Sequence, residues 1–338
     1  MEQERRSIRI GLTVIACAAI LRIICGGFSD KAIQLLRHPT FASLLFYMET
    51  GRLVNPSQQQ TPVKPPPEEQ PDIQSPSPPE TELLFRKEDA ALVDIRSFCD
   101  LSVDTEKLLT SPLQWDLTQD SPTVLILHTH TTESYTQSGA DNYTESSAYH
   151  TLNNQYNMVR IGQQIARILR SQGIGVLHDQ TVHDYPSYNG SYSASRQTIA
   201  EYQKKYPSIQ LVLDLHRDAL ELGGGLQFTT NALVAGKASS QLMMVVGTNA
   251  GGLYHPNWQE NMALALKLHV LLEKANPGIC RPICLRGERF NQDMASGVLL
   301  IEVGAAGDTL QQALTAIEAL AESIVTLAHG TATTNSTN

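Results

Sequence analysis

Two histidines and a glutamate follow a short apolar run in the stretch TVLILHTHTTESY. His128 comes directly after VLIL, and His130 and Glu133 follow within the next five residues. Imidazole and carboxylate groups bind Zn²⁺ and also carry protons during hydrolysis. Since alternate residues of an extended chain point the same way, His128 and His130 are both expected to face one cleft. The stretch predicts a strand that delivers metal ligands, and a purely structural strand end is the competing interpretation.

Two further apolar runs carry residues of the same kind. His216 follows LVLDL, and Glu302 lies near the end of VLLIEVG. In an open α/β sheet, ligands bind at the carboxyl ends of the strands. Residues of these types at three separate strand ends predict a mononuclear zinc hydrolase.

His128 and His216 are the expected pair of zinc ligands, with His130 or Glu133 as the third. The residue that is not a ligand would orient the substrate or hold a ligand in place. A catalytic zinc site keeps one position for a water molecule and lowers its pKa towards about 7. Glu302 is the expected general base, which takes a proton from water and returns it to the leaving amine. An ion pair between Glu302 and an arginine is the structural alternative.

The segments around these residues alternate between strand-like and helix-like patterns. Helices are expected over QYNMVRIGQQIARILRSQG, SASRQTIAEYQKKYP and NWQENMALALKLHVLLEKANPG, and from Asp308 to about Ala328. Strands are expected at VLIL, IGVLH, IQLVLDLHRDA, ALVAG, QLMMVVGT and SGVLLIEVG. This alternation predicts an α/β fold with a mainly parallel open sheet flanked by helices.

The N-terminus combines basic residues with an apolar run. Three arginines precede residues 10–28, a mostly apolar segment that only Arg22 interrupts. Its length is close to that of a bilayer core, so residues 1–30 are predicted to be a cytoplasmic basic flank and a membrane anchor. The chain would then be a single-pass protein of the cell membrane with its remainder outside the cytoplasm. A cleaved signal peptide is the alternative.

The rest of the chain divides by composition. Residues 31–82 include the Pro-rich stretch NPSQQQTPVKPPPEEQPDIQSPSPPE, which is typical of an extended spacer. Residues 83–330 are predicted to form the catalytic domain, and residues 331–338 a disordered tail.

Charge and cysteine content exclude other classes. The formal net charge of −9 and the absence of a Lys/Arg-rich stripe argue against binding to nucleic acid. Five cysteines show no CxxC pair or disulfide framework. Cys280 and Cys284 in CRPIC are too few to form a structural zinc site alone, which favours ordinary thiols.

Six ordered motifs resemble one known family. HTHTTESY, YNMVRIG, LDLHRDA, YHPNWQENMALALKL, RFNQDMASG and LLIEVG occur in this order over about residues 85 to 328. Together they resemble the stage II sporulation protein P family of endospore-forming bacteria, which is similar in fold to the zinc-dependent N-acetylmuramoyl-L-alanine amidases. The resemblance extends to the anchor and polar linker.

The resemblance implies a peptidoglycan hydrolase that acts during engulfment of the forespore, between the mother-cell and forespore membranes. It would cut the amide between N-acetylmuramic acid and L-alanine, and peptide cross-links as well. The implied partners are the stage II sporulation proteins D and M. By motif, His128 and His216 match zinc histidines of the related amidases, and Glu302 matches their catalytic glutamate.

The sequence departs from the amidases at the third ligand. Their glutamate at the start of the first helix matches a place near Asn153, so Glu133 or His130 would substitute. Side chains in the family motifs are implied to bind the lactyl group or stem-peptide carboxylates, or to be structural: Arg217, Asn257, Arg289, Asn291 and Gln292.

Two other functions remain as alternatives to an active zinc hydrolase. One is a wall-binding scaffold with a degenerate site, which the histidines and Glu302 argue against. The other is a serine hydrolase, for which no GxSxG motif is present.

Overall fold

The computed structural model describes residues 84–113, 115–219 and 227–335, and these residues form a seven-stranded sheet and a small hairpin. In chain order the strands are β1 (Ile95–Ser97), β2 (Val124–Leu127), β3 (Val176–His178), β4 (Leu211–Asp218), β5 (Ala232–Val234), β6 (Lys237–Ser239), β7 (Leu242–Gly247), β8 (Ile283–Arg286) and β9 (Val298–Ala305). The hairpin consists of β5 and β6, and the other strands belong to the sheet.

The strand order in the sheet is β1-β8-β7-β9-β4-β2-β3. All neighbouring pairs are parallel except β7 and β9, which are antiparallel. Consequently β2, β3, β4 and β9 end at one edge of the sheet, called here the upper edge. The other three strands, β1, β7 and β8, end at the opposite, lower edge.

In the described part of the chain, five α-helices flank the sheet: α1 (Thr105–Thr110), α2 (Met158–Ser171), α3 (Ser191–Lys205), α4 (Trp258–Ala275) and α5 (Leu310–Asn335). Short 3₁₀ helices cover Lys87–Leu92 and Gln292–Met294. Asn157 caps α2 because its side chain accepts the N–H of Val159. An apolar stripe that includes Ile161 and Ile165 then packs this helix onto the sheet.

The two faces of the sheet differ in what covers them. Helices α2, α4 and α5 pack on one face, the helix-covered face, against residues such as Ile126, Leu213 and Ile301. Helix α3 packs through Ile199 on the other, the α3 face, against Val212 and Val298 among others. Side chains alternate along each strand, so residues an even number of positions from Val212 and Val298 also project from the α3 face.

The expected α/β fold with a mainly parallel sheet is confirmed. Three details differ from the sequence prediction: β7 is antiparallel to β9, ALVAG belongs to the hairpin, and the sheet gains β1 and β8. Strands β1 and β8 have only three and four residues, which are too few to show a hydrophobic period in the sequence. Helix α5 continues to Asn335, so residues 331–335 of the expected tail are helical.

The predicted single-pass location at the cell membrane requires correction. Of the helices within residues 84–113, 115–219 and 227–335, none combines the length and apolar character needed to span a bilayer. The run at residues 10–28 that motivated the prediction lies outside the described residues, as does the Pro-rich linker. The described residues all belong to the unit Glu80–Asn338.

Candidate active site

His216 and Glu302 lie side by side on two central strands. The Cα of His216 in β4 pairs with that of Glu302 in the parallel strand β9. Neighbouring strands are about 4.8 Å apart and paired residues point the same way, so both side chains project from the α3 face. The backbone of the sheet therefore fixes the imidazole relative to the carboxyl group.

His130 and Glu133 reach the same place from the turn that follows β2. That strand ends at Leu127, and residues 129–132 form the turn. The ring centroids of His130 and His216 are 5.2 Å apart, and Nδ1 of His216 lies 3.7 Å from Oε2 of Glu133. The charge of Glu133 also acts on Glu302. His130, Glu133, His216 and Glu302 thus form one group, called here the four-residue cluster.

Asp214 lies behind His216, and Oδ1 of Asp214 is 3.0 Å from Nε2 of His216. Attraction between the charges is the larger part of this contact, and hydrogen bonding is the smaller part. The backbone N–H and the hydroxyl of Thr129 donate to Asp214 at 2.8 and 2.6 Å. Burial opposes a charge on His216, but Asp214 and then Glu133 and Glu302 outweigh burial and raise the pKa to about 10. The surroundings of His216 therefore favour positive charge.

The tautomer of His130 follows from its neighbours. The Ser191 hydroxyl donates its proton to the carbonyl of Tyr188 at 2.7 Å, so it accepts from Nδ1 of His130 at 3.3 Å. Burial lowers the pKa of His130 to about 3, which keeps the ring neutral. The lone pair is then on Nε2 and is available to a cation.

Glu302 carries a buried carboxylate oxygen without a partner. Within the described residues, no group hydrogen-bonds to its Oε2 atom, which solvent does not reach. Burial raises the pKa of Glu302 to about 8, although His216 acts in the opposite direction. An unpaired buried carboxylate is costly unless a proton, cation or ligand satisfies it.

Two tyrosines form a wall beside the cluster. The ring of Tyr188 stacks on His130 at 4.2 Å between centroids and remains 57% exposed. The ring of Tyr192 lies edge-on to His130 at 5.6 Å and parallel to His216 at 6.4 Å. Burial raises the pKa of Tyr192, so its hydroxyl stays protonated. This wall offers aromatic surface to a ligand that reaches the cluster.

Arg217 holds the backbone around Glu133. Its guanidinium donates to the carbonyls of Ser134 and Tyr149 at 3.0 and 2.9 Å, and its backbone N–H donates to Glu133 at 3.2 Å. The side chain is buried. These contacts position Glu133, whereas the sequence predicted that Arg217 binds substrate.

The predicted pairing of His128 with His216 is not formed. Leu127 of β2 pairs with Asp214 of β4, so His128 is level with Leu215 and projects from the face opposite to His216. Its Nε2 lies 3.0 Å from Nε2 of His178. A Cβ atom at Gly162 of α2 would be 2.6 Å from the first of these nitrogens and 2.3 Å from the second. His128 therefore belongs to a closed pair on the helix-covered face.

The other predicted substrate-binding residues follow strands that end at the lower edge. Asn257 precedes α4, and Arg289 donates to the carboxylate of Asp293 at 3.2 Å. Asn291 donates to the carbonyl of Tyr192 at 2.9 Å. The side chain of Gln292 accepts the backbone N–H of Gly247 and donates to the carbonyl of Val245, both in β7. The contacts of Arg289, Asn291 and Gln292 are structural, and that of Asn291 fixes the first turn of α3.

Sequence reasoning missed Asp214, Ser191 and Tyr192. Asp214 had a signal, because it lies two residues before His216 in the same strand and therefore on the same face. The other two are brought to the cluster by the start of α3, and no local pattern indicates which turn of that helix approaches the sheet.

Solved structures of two amidases show a weak overall similarity to this chain. An N-acetylmuramoyl-L-alanine amidase of Nostoc punctiforme is 11% identical, with a TM-score of 0.36 over 61% of this chain and 96% of that chain. One from Clostridium difficile 630 is 15% identical, with a TM-score of 0.34 over 62% of this chain and 97% of that chain. Similarity at this level does not indicate a shared activity.

Sequence comparison identifies closer relatives. A stage II sporulation protein P of Bacillus subtilis strain 168 is 29% identical over 259 residues, which cover 73% of this chain and 60% of that protein. The chain therefore spans less than two thirds of the length of this curated relative. The family model described as stage II sporulation protein P matches residues 52–325, which is most of the chain. The chain belongs to the stage II sporulation protein P family.

Proposed function

We propose that this protein is a zinc-dependent peptidoglycan hydrolase that cuts the amide between N-acetylmuramic acid and L-alanine. The observation that carries the proposal is the convergence of His130, Glu133, His216 and Glu302 on the α3 face. Membership in the stage II sporulation protein P family supports a role in sporulation. Hydrolysis of peptide cross-links is a second reaction that the same residues suit, since it also breaks an amide.

The residues of the cluster offer the donor types of a catalytic zinc site, and zinc binding would draw together donor atoms that are not all within 4.8 Å of one another in the metal-free protein. Two imidazoles and one carboxylate, from His130, His216 and Glu133, are a known ligand set of zinc hydrolases. Nδ1 of His130 contacts Ser191, which leaves its Nε2 available to a metal ion. Nε2 of His216 contacts Asp214, which leaves its Nδ1 available. A carboxylate behind a ligating histidine is the usual support for such a ligand. The unpartnered oxygen of Glu302 is consistent with a further charged or polar group in the cleft.

Glu302 is the proposed proton carrier. A bound Zn²⁺ would supply Lewis acidity, which polarises the amide carbonyl and lowers the pKa of water. Glu302 takes a proton from the attacking water and delivers it to the leaving amide nitrogen. Burial holds the pKa of Glu302 at about 8 in the metal-free protein, so the carboxyl group titrates close to neutral pH. A bound cation would lower that pKa and favour the ionised form, which is the one that accepts a proton.

The two tyrosines are proposed to bind the substrate. The exposed ring of Tyr188 offers a flat apolar surface to the sugar or stem next to the scissile bond. The protonated hydroxyl of Tyr192 is a donor for substrate oxygens. The natural substrate would be reached during engulfment together with the stage II sporulation proteins D and M.

The proposal is tested with the full-length protein, purified peptidoglycan, product mass spectrometry and zinc analysis. The wild type is expected to release stem peptides that begin with L-alanine. His216→Ala should hold one zinc ion fewer per chain than the wild type and release no products. Glu302→Ala should be equally inactive while it retains the zinc content of the wild type.

Glu201→Ala is the matched control, because Glu201 is an exposed glutamate of α3 and should leave activity and zinc unchanged. A wild-type protein that binds the wall but neither holds zinc nor cuts would overturn the proposal and leave a wall-binding scaffold. Products that begin elsewhere in the stem would replace the amidase by an endopeptidase.

A further inference from the structure

A second group of metal-binding side chains lies where α4 leads into β8. His269 and Glu273 are one helical turn apart on α4, and Cys280 comes from the loop that follows. One donor atom from each residue lies within 4.8 Å of the other two. In the described part of the chain, this is the one group of three such residues with donors so close together. None of the three belongs to the four-residue cluster.

The ring of His269 is oriented with a free lone pair. The side chain is 2% exposed, and its Nδ1 has no hydrogen-bond partner among the described residues. The other ring nitrogen, Nε2, is the one that faces the backbone carbonyl of Leu92. Since a carbonyl accepts, Nε2 carries the proton and Nδ1 carries the lone pair. A ligating histidine usually has this arrangement, with its second nitrogen donating to a backbone carbonyl.

Glu273 is held in place before any ion arrives. Its Oε1 accepts the backbone N–H of Cys280 at 2.7 Å, and its Oε2 accepts that of Gly278 at 2.9 Å. These bonds close the loop after α4, which is a structural role in itself. Each carboxylate oxygen accepts more than one bond, so both retain a lone pair for a cation.

Cys280 supplies a sulfur atom beside these groups. The thiol makes a long contact of 4.0 Å with the carbonyl of His269 and also interacts with the carboxylate of Glu273. Burial, and then the charge of Glu273, raise the pKa of Cys280, so the thiol is neutral without a metal. A divalent cation would displace the thiol proton to solvent and form a bond to the thiolate.

We propose that His269, Glu273 and Cys280 bind a divalent cation of the zinc class. A thiolate with an imidazole favours Zn²⁺ or Co²⁺ over Mg²⁺ and Ca²⁺, which prefer oxygen ligands. Leu92 ends the short helix Lys87–Leu92, so the ion would connect this N-terminal segment, through His269, to α4 and the loop before β8. The site is structural and separate from the proposed catalytic zinc.

The test is a Co²⁺ titration of the full-length protein followed by near-ultraviolet absorption. A thiolate bound to Co²⁺ gives an intense charge-transfer band, which the four-residue cluster cannot produce because it contains no cysteine. The wild type should show this band, and one equivalent of Zn²⁺ per site should bleach it. His216→Ala should retain it, which separates this site from the proposed catalytic one.

The band should disappear in Cys280→Ser and weaken in Glu273→Gln. Cys284→Ser is the matched control, because Cys284 is a buried cysteine of β8 outside the group and should leave the band intact. A cooperative thermal transition in EDTA shows that each variant is folded. Cys284→Ser and Cys280→Ser are then each combined with His216→Ala, which removes the proposed catalytic zinc site. In this background Zn²⁺ should raise the Tm of the Cys284→Ser protein but not that of the Cys280→Ser protein. No band in the wild type, or a band that survives Cys280→Ser, would overturn the proposal.

Discussion

His128 and His130 are neighbours in sequence but belong to two different histidine groups. His128 pairs with His178 beneath α2, on the helix-covered face. His130 lies with His216 on the α3 face, among carboxylates and beside an exposed tyrosine ring. Burial lowers the pKa of both His128 and His130 to about 3, so depth does not separate them. The two histidines differ in their partners. His128 contacts the neutral ring of His178 and the carbonyl of Leu215. His130 lies among ionisable groups, beside a tyrosine ring that solvent reaches.

The largest expected difference between the groups is in hydrolysis. His130→Ala removes a proposed zinc ligand, so activity on peptidoglycan should fall by more than the roughly 100-fold that loss of an outer partner causes. His128→Ala should keep activity within about tenfold but lower the free energy of unfolding by about 1–3 kcal/mol, because it breaks buried hydrogen bonds. Turnover on peptidoglycan and urea unfolding, measured on both variants, test which histidine acts in hydrolysis. An inactive, fully stable His128→Ala would reverse the assignment.

Asp214→Asn tests the carboxylate that supports His216. Without its negative charge, the ring loses its electrostatic partner, and zinc affinity is expected to fall by about 10–100-fold. Competition with a chelator of known affinity measures the change. His178→Gln is the comparison from the other group, and an equal loss of affinity in that variant would contradict the separation of the two groups.

Gly162→Ala probes the closed pair. The added methyl group would meet both His128 and His178, and overpacking of this kind costs about 1–3 kcal/mol. The gain in helix propensity, about 1 kcal/mol, offsets part of that cost. In Gly162→Ala with His178→Ala, the closer of the two clashes is removed and the His128 ring gains room to move, so the double-mutant cycle should show a favourable coupling. If the two substitutions instead change the free energy of unfolding additively, helix α2 moves away from His128 and His178 without cost, and the pair is not closed.

The last expected effect concerns acid stability. Burial, and then Arg170, lower the pKa of His178 from 6.5 to about 4. Between these values the unfolded chain binds a proton that the folded chain excludes, so the free energy of unfolding falls as the pH falls. The contribution is about 1 kcal/mol per pH unit. Urea unfolding of the metal-free protein from pH 7 to pH 4 should give a shallower pH dependence for His178→Gln.

Much of the secondary structure was predictable because the longer elements are periodic or continuously apolar. The stripe of α2 and the apolar run of β9 indicate their structures without tertiary information. Strand direction was not predictable, and the antiparallel pairing of β7 with β9 places Asn257 and Arg289 after strands that end at the lower edge. The resemblance identified their motifs but could not indicate at which edge of the sheet they lie, and their role in substrate binding stays a prediction.

The candidate site was predictable in its residue types but not in its geometry. His130, Glu133, His216 and Glu302 were all candidates from the sequence. The error concerned His128, because the prediction extended the strand through His130 and gave both histidines one direction. The strand ends at Leu127 and a turn follows, which breaks the alternation. Register between β2 and β4, which decides the face of His128, depends on contacts across 87 residues of sequence.

The pairing of His216 with Glu302 in adjacent strands has an evolutionary consequence. Both residues are anchored by the hydrogen-bonded ladder of β4 and β9, in which they form the last regular pair before the register shifts. The loop at residues 136–156 and the aromatic wall of α3 lie outside that ladder. Insertions or replacements in those segments can therefore accumulate during evolution without changing the separation between the imidazole and the carboxyl group.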